Sequence, residues 1–524
     1  MEQPNGGRRL AWSAAIFALA TGLSRVLGLV REIVTAYFFG ASGKINAFTV
    51  AFQVPNTVRN LLADSAVSSA FVPVFSELLE KGERKRAWRV ASTLFWLIML
   101  GLSGLTAIFI LLAPFVIKLF GTPGGDEELA VTLSRILFPT VVLLGLSGII
   151  VGILNSYDHF TVPALSPVAW NLVIILGLAL GVPQTDSVDT QLYIYAGAVL
   201  LGTLVQVLLP LPWLRGRDDR LHMVIDWRDP AVKQVFVLIV PVTLGLGLIN
   251  FNTLIDTLFA SRLIDPELAP TAIDKAYRLY LLPQGIFSIA IATVLFPLMS
   301  RLAAREDHRG FATTVGMGLR QIAFTLIPAS VVSAVLAEPI VRLVYQRGAF
   351  TAQQTTVVAG ALAAFSVGLV FNGAMLMLIR TFFSLKSNWV PTTIALANLG
   401  LNAGLDAIFY RLGIWGIPLA TSVVNMAGTI ALIAVLQRRE QRLDLRHTAR
   451  AVALICVASA LLAGVAFGVW DGLDHLLGRS LGGQIVSLAG ALAAGAAFYL
   501  VSCNLLGVRE LHTLLSLRRR AAPS

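Results

Sequence analysis

The chain has 524 residues, 56% of them apolar and 13% charged, with 40 basic against 29 acidic side chains and a net charge of +11. A soluble domain carries about 25% charged residues, so this composition, with a mean hydropathy of +0.78, excludes a soluble globular protein and indicates one embedded in a membrane. The basic excess is scattered among short loops, which argues against a nucleic-acid partner.

Apolar runs of about 20 residues, each able to cross the ~30 Å hydrocarbon core, recur along the whole sequence. In chain order they predict an all-α protein of about fourteen spans: 10–40, 46–80, 87–120, 128–155, 160–182, 191–214, 231–261, 270–300, 312–337, 352–383, 389–410, 413–437, 449–470 and 483–507. Met1–Arg9 does not open a cleavable signal, because the apolar run after it is too long and lacks a small-residue cleavage site. Lys and Arg collect on the cytoplasmic side of membrane proteins. Basic residues crowd 81–89, 215–233, 301–309 and 438–450, whereas the loops starting at Gly121 and Pro183 carry none. An even span count with both termini cytoplasmic follows. Cys456 and Cys503 fall in late spans and make no disulfide framework.

Charges interrupt several spans: Arg25, Arg31, Arg59, Arg278 and Arg380 lie in otherwise apolar stretches. A charge at the bilayer centre costs roughly 3 kcal/mol on insertion scales and usually faces a bundle interior or a watery cavity. Several intramembrane cations with few anions point to a cavity for a negative ligand. The competing reading for each is snorkelling or a structural ion pair, favoured at Arg380, near a cytoplasmic end. Arg25 and Glu32, seven apart, share a helix face. Arg25 and Arg31, about 120° apart, both line a cavity only if it is wide or the helix bends, for example at Gly28. Pro55, four residues before Arg59, marks an expected kink.

A repeat is present. Val162-Pro163 recurs as Val390-Pro391, an offset of 228 residues, and Pro73 in FVPVFSEL pairs with Pro297 in LFPLMSRL, an offset of 224. This predicts two six-helix lobes, 10–214 and 231–437, followed by two extra spans within 449–507. An even repeat keeps both copies parallel, so the lobes are related by a pseudo-two-fold along the membrane normal, the arrangement of parallel-repeat transporters, with the cavity expected between them.

A second constellation lies in the later spans. Asp256, Asn402, Asp406, Thr421 and Ser422 are hard oxygen ligands suited to Na⁺ or to protons. A structural hydrogen-bond cluster, or separate polar contacts, are the alternatives. None of the six histidines shows metal-ligand spacing and no nucleophile motif appears, so a membrane enzyme acting on lipid phosphates finds no support. A non-transporting scaffold would not need intramembrane arginines.

Several motifs are recognisable: SRVLGLVRE from Ser24, FFGAS from Phe38, NAFTVAFQVPNTVRNLLADSAVSSAFVPVF from Asn46, GILNSYDHFTVPALSP from Gly152, DKAYRLYLLPQGIFSIAIATVLFPLMS from Asp274 and YQRGAFT from Tyr345. In these the chain resembles the MurJ (MviN) lipid II flippases of the multidrug/oligosaccharidyl-lipid/polysaccharide exporter superfamily, over nearly its whole length. The resemblance implies transport, not catalysis. Its cargo would be lipid II, the undecaprenyl-pyrophosphate-linked disaccharide-pentapeptide of peptidoglycan, moved from the inner to the outer leaflet of the bacterial cytoplasmic membrane by alternating access. Arg25, Arg31, Arg59 and Arg278 match the family's cavity arginines, Asn46 a position where relatives can carry Asp, and Glu32 and Asp64 acidic positions near the arginines. Guanidinium pairs with phosphate in bidentate fashion and stays charged when desolvated. The family also includes members that bind Na⁺ in the second lobe, and following it the last two spans form a groove for the polyprenyl tail; the alternative is that they only cover a flank. A cation-coupled exporter, or a flippase of another polysaccharide lipid, is the second reading, although a carrier of cationic drugs calls for acidic walls.

Overall fold

The computed structural model describes the backbone of residues 6–62, 65–387, 389–440, 443–508 and 510–511, with side chains described except at 6–18, 59–62, 65–69, 240–250 and 440. The described residues are all-α, with no strand among them. The helices are α1 (Gly6–Phe39), α2 (Ile45–Leu62), α3 (Ser65–Glu80), α4 (Arg84–Leu119), α5 (Glu127–Leu137), α6 (Pro139–Ser156), α7 (Thr161–Gly181), α8 (Val188–Leu208), α9 (Pro230–Phe259), α10 (Ala269–Ala304), α11 (His308–Val335), α12 (Ala337–Tyr345), α13 (Ala352–Val367), α14 (Leu369–Ser384), α15 (Trp389–Phe409), α16 (Gly416–Glu440), α17 (Leu445–Leu477) and α18 (Leu481–Leu505). Nine helical stretches among the described residues are long and apolar enough to cross a membrane, and α13 with α14, bent by 45°, makes a tenth as one broken span. The protein is a multi-pass membrane protein.

Local sequence sets the helix ends. Asp126 starts α5 by accepting from the Leu129 amide at 2.9 Å, Asp307 starts α11 through Gly310 at 2.8 Å, and Asp444 starts α17 through His447 at 3.0 Å. Each satisfies one of the orphan amides of a first turn. Thr351 and Gln354 close a reciprocal capping box on α13. Helices α1, α2 and α10 run unbroken through Gly28, through Pro55, and through Pro283 and Pro297 respectively.

Two compact units form, Met1–Thr271 and Ala272–Ser524. In the first, one apolar core joins α2 to α4, α5 and the α7–α8 pair, and a second joins α3, α4 and α6 to the start of α9. Helix α9 packs on α2, α3 and α4, so this unit holds it together with the helices before it.

The connections of the first unit gather at two ends. At one, the α1–α2, α4–α5 and α9–α10 turns meet: the Gly43 amide donates to the Glu267 carbonyl and that of Gly124 to Pro266, both at 2.7 Å. Gly124 adopts φ +68°, and a Cβ there would lie 2.9 Å from the Ala47 amide, so only glycine fits. Lys44 bridges Asp126 at 3.2 Å and Asp189 at 2.6 Å, which raises its pKa, first through Asp189. At the opposite end, Arg84 pairs with Asp218 at 2.6 Å, Tyr157 donates to Asp218 at 2.8 Å, and Trp88 donates to Tyr157 at 3.1 Å.

In the second unit α17 and α18 pack on each other and on α11 and α12. The small residues of α18 permit this: Gly495 and Ala491 are in the seam, where a Cβ on Gly495 would come 3.1 Å from that of Ala466. Arg320 pairs with Glu510 at 2.7 Å, and Arg342 pairs with Asp474.

Candidate functional site

The charged residues of α1 part company. Arg25 is exposed, and its helix neighbours Leu23 and Val26 are exposed apolar side chains. Arg31 is only 8% exposed and Glu32 6%. Arg31 donates to Glu32 at 2.8 Å, and its guanidinium carbon lies 4.6 Å from the centre of the Trp170 ring on α7. Packing of α1 against α7 fixes this face. A guanidinium desolvated over an aromatic face and beside a carboxylate is held in place, so Arg31 is committed within its own unit. Trp170, which also donates to Thr203 at 3.1 Å, lies three residues beyond the GILNSYDHFTVPALSP motif, outside the residues singled out from sequence.

Asn46 is fully buried. Its amide group donates to the carbonyls of Ala41 and Gly43, both at 3.1 Å, and to that of Glu267; its Oδ1 accepts from the Thr271 amide at 2.8 Å. Beside it the Thr49 and Thr271 hydroxyls are 2.8 Å apart. In this conformation the residue expected to meet the cargo ties the α1–α2 turn to the start of α10. The backbone of Arg59 lies in α2, its side chain falling outside the description, and Asp64 lies outside the described residues.

In the second unit Arg278 donates to Asp274, one turn earlier on α10, at 2.7 Å, and both side chains stay about one-third exposed, at 32% and 33%. Around them α10 buries a polar and aromatic seam. Lys275, 2% exposed, lies 5.0 Å from the Tyr345 ring centre. Tyr280 stacks near Tyr277 and Phe365, and Asn372 links the Tyr280 hydroxyl to Gln284 through 2.8 Å bonds. Lys275, Tyr277 and Tyr280 lie in the DKAYRLY motif, and Tyr345 opens YQRGAFT, so the seam has a signal in sequence. Arg380 donates to Thr293 at 3.0 Å.

Of the oxygen-rich constellation, Asp256 belongs to the first unit and the other four residues to the second. Asn402 and Asp406 are fully buried, joined by a 2.9 Å bond from the amide to the carboxylate. Ser422 donates to the carbonyls of Ala364 and Phe365, at 2.7 and 3.2 Å. At the bend between α13 and α14 the Gly368 amide donates to the Phe365 carbonyl at 3.0 Å rather than to that of Ala364, which leaves the Ala364 carbonyl to Ser422. Thr421 donates to the Ile417 carbonyl at 3.3 Å. Hydroxyls that give their protons to carbonyls keep lone pairs for a cation, and this oxygen set suits a hard ion. Among the described residues no group of three or more His, Cys, Asp or Glu side chains could hold a metal.

Comparison with known proteins gives these positions a context. The family model "Lipid II flippase MurJ" matches residues 35–476. A protein of Vibrio cholerae serotype O1, "Probable lipid II flippase MurJ", is 32% identical, covering 96% of this chain and 97% of its own. The "Lipid II flippase MurJ" of Burkholderia cenocepacia is 30% identical over 80% of this chain and 82% of its own. Among solved structures, "Lipid II flippase MurJ, inward closed conformation" superposes with a TM-score of 0.77 at 24% identity, covering 94% of this chain and 98% of that one. An inward-facing "multidrug resistance MATE family transporter of the MOP superfamily" reaches 0.64 at 16% identity, over 82% of this chain and 94% of its own; both likenesses concern the fold. With the family model spanning most of the sequence and full-length relatives near one-third identity, the chain belongs to the MurJ family of lipid II flippases.

Proposed function

We propose that this protein moves lipid II from the inner to the outer leaflet of the bacterial cytoplasmic membrane by alternating access. Family membership supplies the cargo; the observation in the chain that supports it is Arg25, an exposed guanidinium in a long span whose neighbouring exposed side chains are apolar. An intramembrane cation usually faces a bundle interior or a watery pathway, and a diphosphate diester brings two negative charges and acceptors for bidentate pairing with guanidinium. Arg25 and Arg59 are the proposed headgroup contacts of the first unit and Arg278 that of the second, with Asp274 holding Arg278 in its rotamer until cargo arrives. Arg31 and Glu32 support the shape of α1 rather than touching cargo.

The proposed architecture is fourteen spans in two six-helix lobes, 10–214 and 231–437, related by a pseudo-two-fold, with the two trailing spans of 449–507 offering the polyprenyl tail an apolar flank. By the positive-inside rule the end bearing Arg84, Lys85 and Arg89 is cytoplasmic, as are both termini. Asn402, Asp406, Thr421 and Ser422 of the second unit are proposed to bind Na⁺, or protons, as the coupling ion. A buried carboxylate such as Asp406 is costly unless a bound cation or hydrogen-bond donors compensate it, which is the physical reason to place a cation there. A flippase of another polysaccharide lipid is the second reading.

The deciding experiment is complementation of a bacterium depleted of its own flippase, with exposure of lipid II on the outer leaflet as readout. The wild-type chain restores exposure, and Arg25→Ala, inserted at normal levels, does not. Normal exposure with Arg25→Ala would remove the proposed anion contact; failure of the wild-type chain would remove the cargo.

A further inference from the structure

Between α8 and α9 the chain crosses the basic end of the first unit as an irregular strap. Its first part is held by Tyr157, at the end of α6, which donates to Asp218 at 2.8 Å, and its second part by α4. The His222 amide donates to the Ser92 hydroxyl at 3.0 Å, the Asp226 amide to the Thr93 hydroxyl at 3.1 Å, and the Trp96 indole to the His222 carbonyl at 2.9 Å. The chain bends at Met223, where the Val224 amide donates to the His222 carbonyl at 2.9 Å, and turns at Trp227 and Arg228, where the Asp229 amide donates to the Asp226 carbonyl at 3.3 Å. These bends leave a run of apolar side chains in the open: Met223 is 82% exposed, Val224 37%, Ile225 49% and Trp227 59%.

A purely aqueous strap would not carry this run. Its level is set by α4, whose last charge before the apolar run is Arg89 and whose next is Lys118. The hydroxyls of Ser92 and Thr93 and the indole of Trp96 sit in the first turns of that uncharged stretch, at the boundary between hydrocarbon and water, where Trp side chains concentrate. The exposed Trp213, at the start of the connection, adds another aromatic side chain there. Around the apolar run stand the exposed Arg215, Arg220 and Arg228 of the connection and Lys85 and Arg89 of α4. Arg228 lies with its guanidinium carbon 5.3 Å from the Trp227 ring centre, a pairing that keeps charge and aromatic ring at one level. Exposed apolar side chains rimmed by arginine have the chemistry of an interfacial anchor selective for anionic lipid.

We propose that residues 213–228 form a binding surface for anionic phospholipid: Met223, Ile225 and Trp227 enter the interface, and Arg215, Arg220 and Arg228 pair with lipid phosphates. The strap ends at Asp229, which caps α9 by accepting from the Ala231 amide at 2.8 Å and is gripped by Arg86 at 3.0 and 3.1 Å. Lipid bound along the strap therefore acts on the entry of α9. This inference does not rest on the identity of the cargo.

The test uses the full chain in nanodiscs of phosphatidylcholine alone and of phosphatidylcholine with phosphatidylglycerol. Phosphatidylcholine brominated near the headgroup end of its chains quenches tryptophan within contact distance. Subtracting the signal of Trp227→Phe isolates Trp227, which is expected to be quenched by the brominated lipid and shielded from iodide. Phosphatidylglycerol retained on the protein is then counted by native mass spectrometry. Arg215→Gln, Arg220→Gln and Arg228→Gln are each expected to weaken retention about fivefold, the equivalent of about 1 kcal/mol per basic residue at an anionic surface, with unchanged thermal unfolding in neutral detergent. Met223→Ser with Ile225→Ser reports on the apolar run independently of charge and is expected to lower retention in the same assay. Iodide access to Trp227 without quenching by brominated lipid overturns the proposal. So does wild-type phosphatidylglycerol retention in the arginine variants, including the case in which they lose only lipid II transport and so assign the arginines to the cargo headgroup.

Discussion

Arg31 on α1 lies over Trp170 on α7, 4.6 Å from guanidinium carbon to ring centre, while the same guanidinium pairs with Glu32 at 2.8 Å. Two arginines six residues apart on one helix thus have opposite environments, and their substitutions should separate. Removing one partner of a buried charge pair strands the other and costs about 3–5 kcal/mol, so Glu32→Ala and Arg31→Ala should lower the thermal midpoint and reduce membrane levels. Arg25→Ala should leave the midpoint within about 0.5 kcal/mol of wild type, as exposed substitutions do, while abolishing transport. The check is thermal unfolding in detergent set beside leaflet exposure of lipid II. Equal destabilisation in the two α1 arginine variants would contradict the division.

Asn46→Ala should also act through structure. The substitution removes the acceptor of the Thr271 amide and the donors for the Ala41, Gly43 and Glu267 carbonyls. Each buried group left without a partner costs about 1–3 kcal/mol. Asn46→Asp keeps the Thr271 bond but turns an acceptor toward the carbonyls, so it should be the more damaging at neutral pH. Hydrogen exchange should rise at 41–47 and 267–271 in both variants; protection unchanged at these segments would free Asn46 for a role at the cargo.

Much of this fold was legible in sequence because the bilayer enforces it: apolar runs of spanning length with capped ends must be helices, and the basic loops separate the two ends of the bundle. The site was legible to a lesser depth. Periodicity put Arg25 and Arg31 about 120° apart on α1, but which face α7 covers depends on Trp170, a partner some 140 residues away in sequence that no local pattern announces. Asn46 was singled out by motif, yet its partners at 267 and 271 belong to another turn, so the tie emerges only when the chain is folded. The bend at Gly368, which turns its amide away from the Ala364 carbonyl that Ser422 meets, has no Pro in the sequence to mark it.

Protonation at the basic end has a defined sign. Arg86, then the Ala231 amide, hold the Asp229 carboxyl below the usual carboxylate range against the opposing effect of burial. Since the folded value lies below the unfolded one, near 3.9, the tie contributes its full stability above that value and loses it as the pH falls through the folded value. Protection of the amides at the first turn of α9, taken relative to their intrinsic exchange at each pH, should therefore be flat from neutral pH to about pH 5 and fall below about pH 4. Asp229→Asn should show raised exchange at neutral pH and a shallower acid limb. An unaltered acid limb would assign that loss to other carboxylates.

Na⁺ should stabilise the wild-type chain if the proposed cation site operates. Binding to the folded state alone adds about 2.7 kcal/mol at one hundred times the dissociation constant, an effect visible as a rise in thermal midpoint with Na⁺ at constant ionic strength. Asp406→Asn, which keeps the volume and the contact with Asn402 while removing the charge, should abolish the Na⁺ response. A response surviving in Asp406→Asn would place the ion elsewhere, and a pH-dependent midpoint indifferent to Na⁺ would point to protons.

The trailing helices are fastened to the second unit at two places. Arg320 of α11 pairs with Glu510, just beyond α18, with side-chain exposures of 15% and 8%. Arg342 of α12 pairs with Asp474 near the end of α17 and lies 5.7 Å from the Trp470 ring centre. The Tyr499 hydroxyl of α18 adds a 2.7 Å bond to the Phe324 carbonyl. Single substitutions at either pair should each cost about 3–5 kcal/mol because the remaining charge stays buried, and the double variants Arg320→Met with Glu510→Met, and Arg342→Met with Asp474→Met, should recover much of that loss. A coupling energy of about 1–3 kcal/mol from each double-mutant cycle is expected for residues in direct contact. If α17 and α18 carry the polyprenyl tail, loosening either tie should slow transport of long-chain cargo more than that of a short-chain analogue bearing the same headgroup. Equal slowing of both would leave these helices as a covering of the flank.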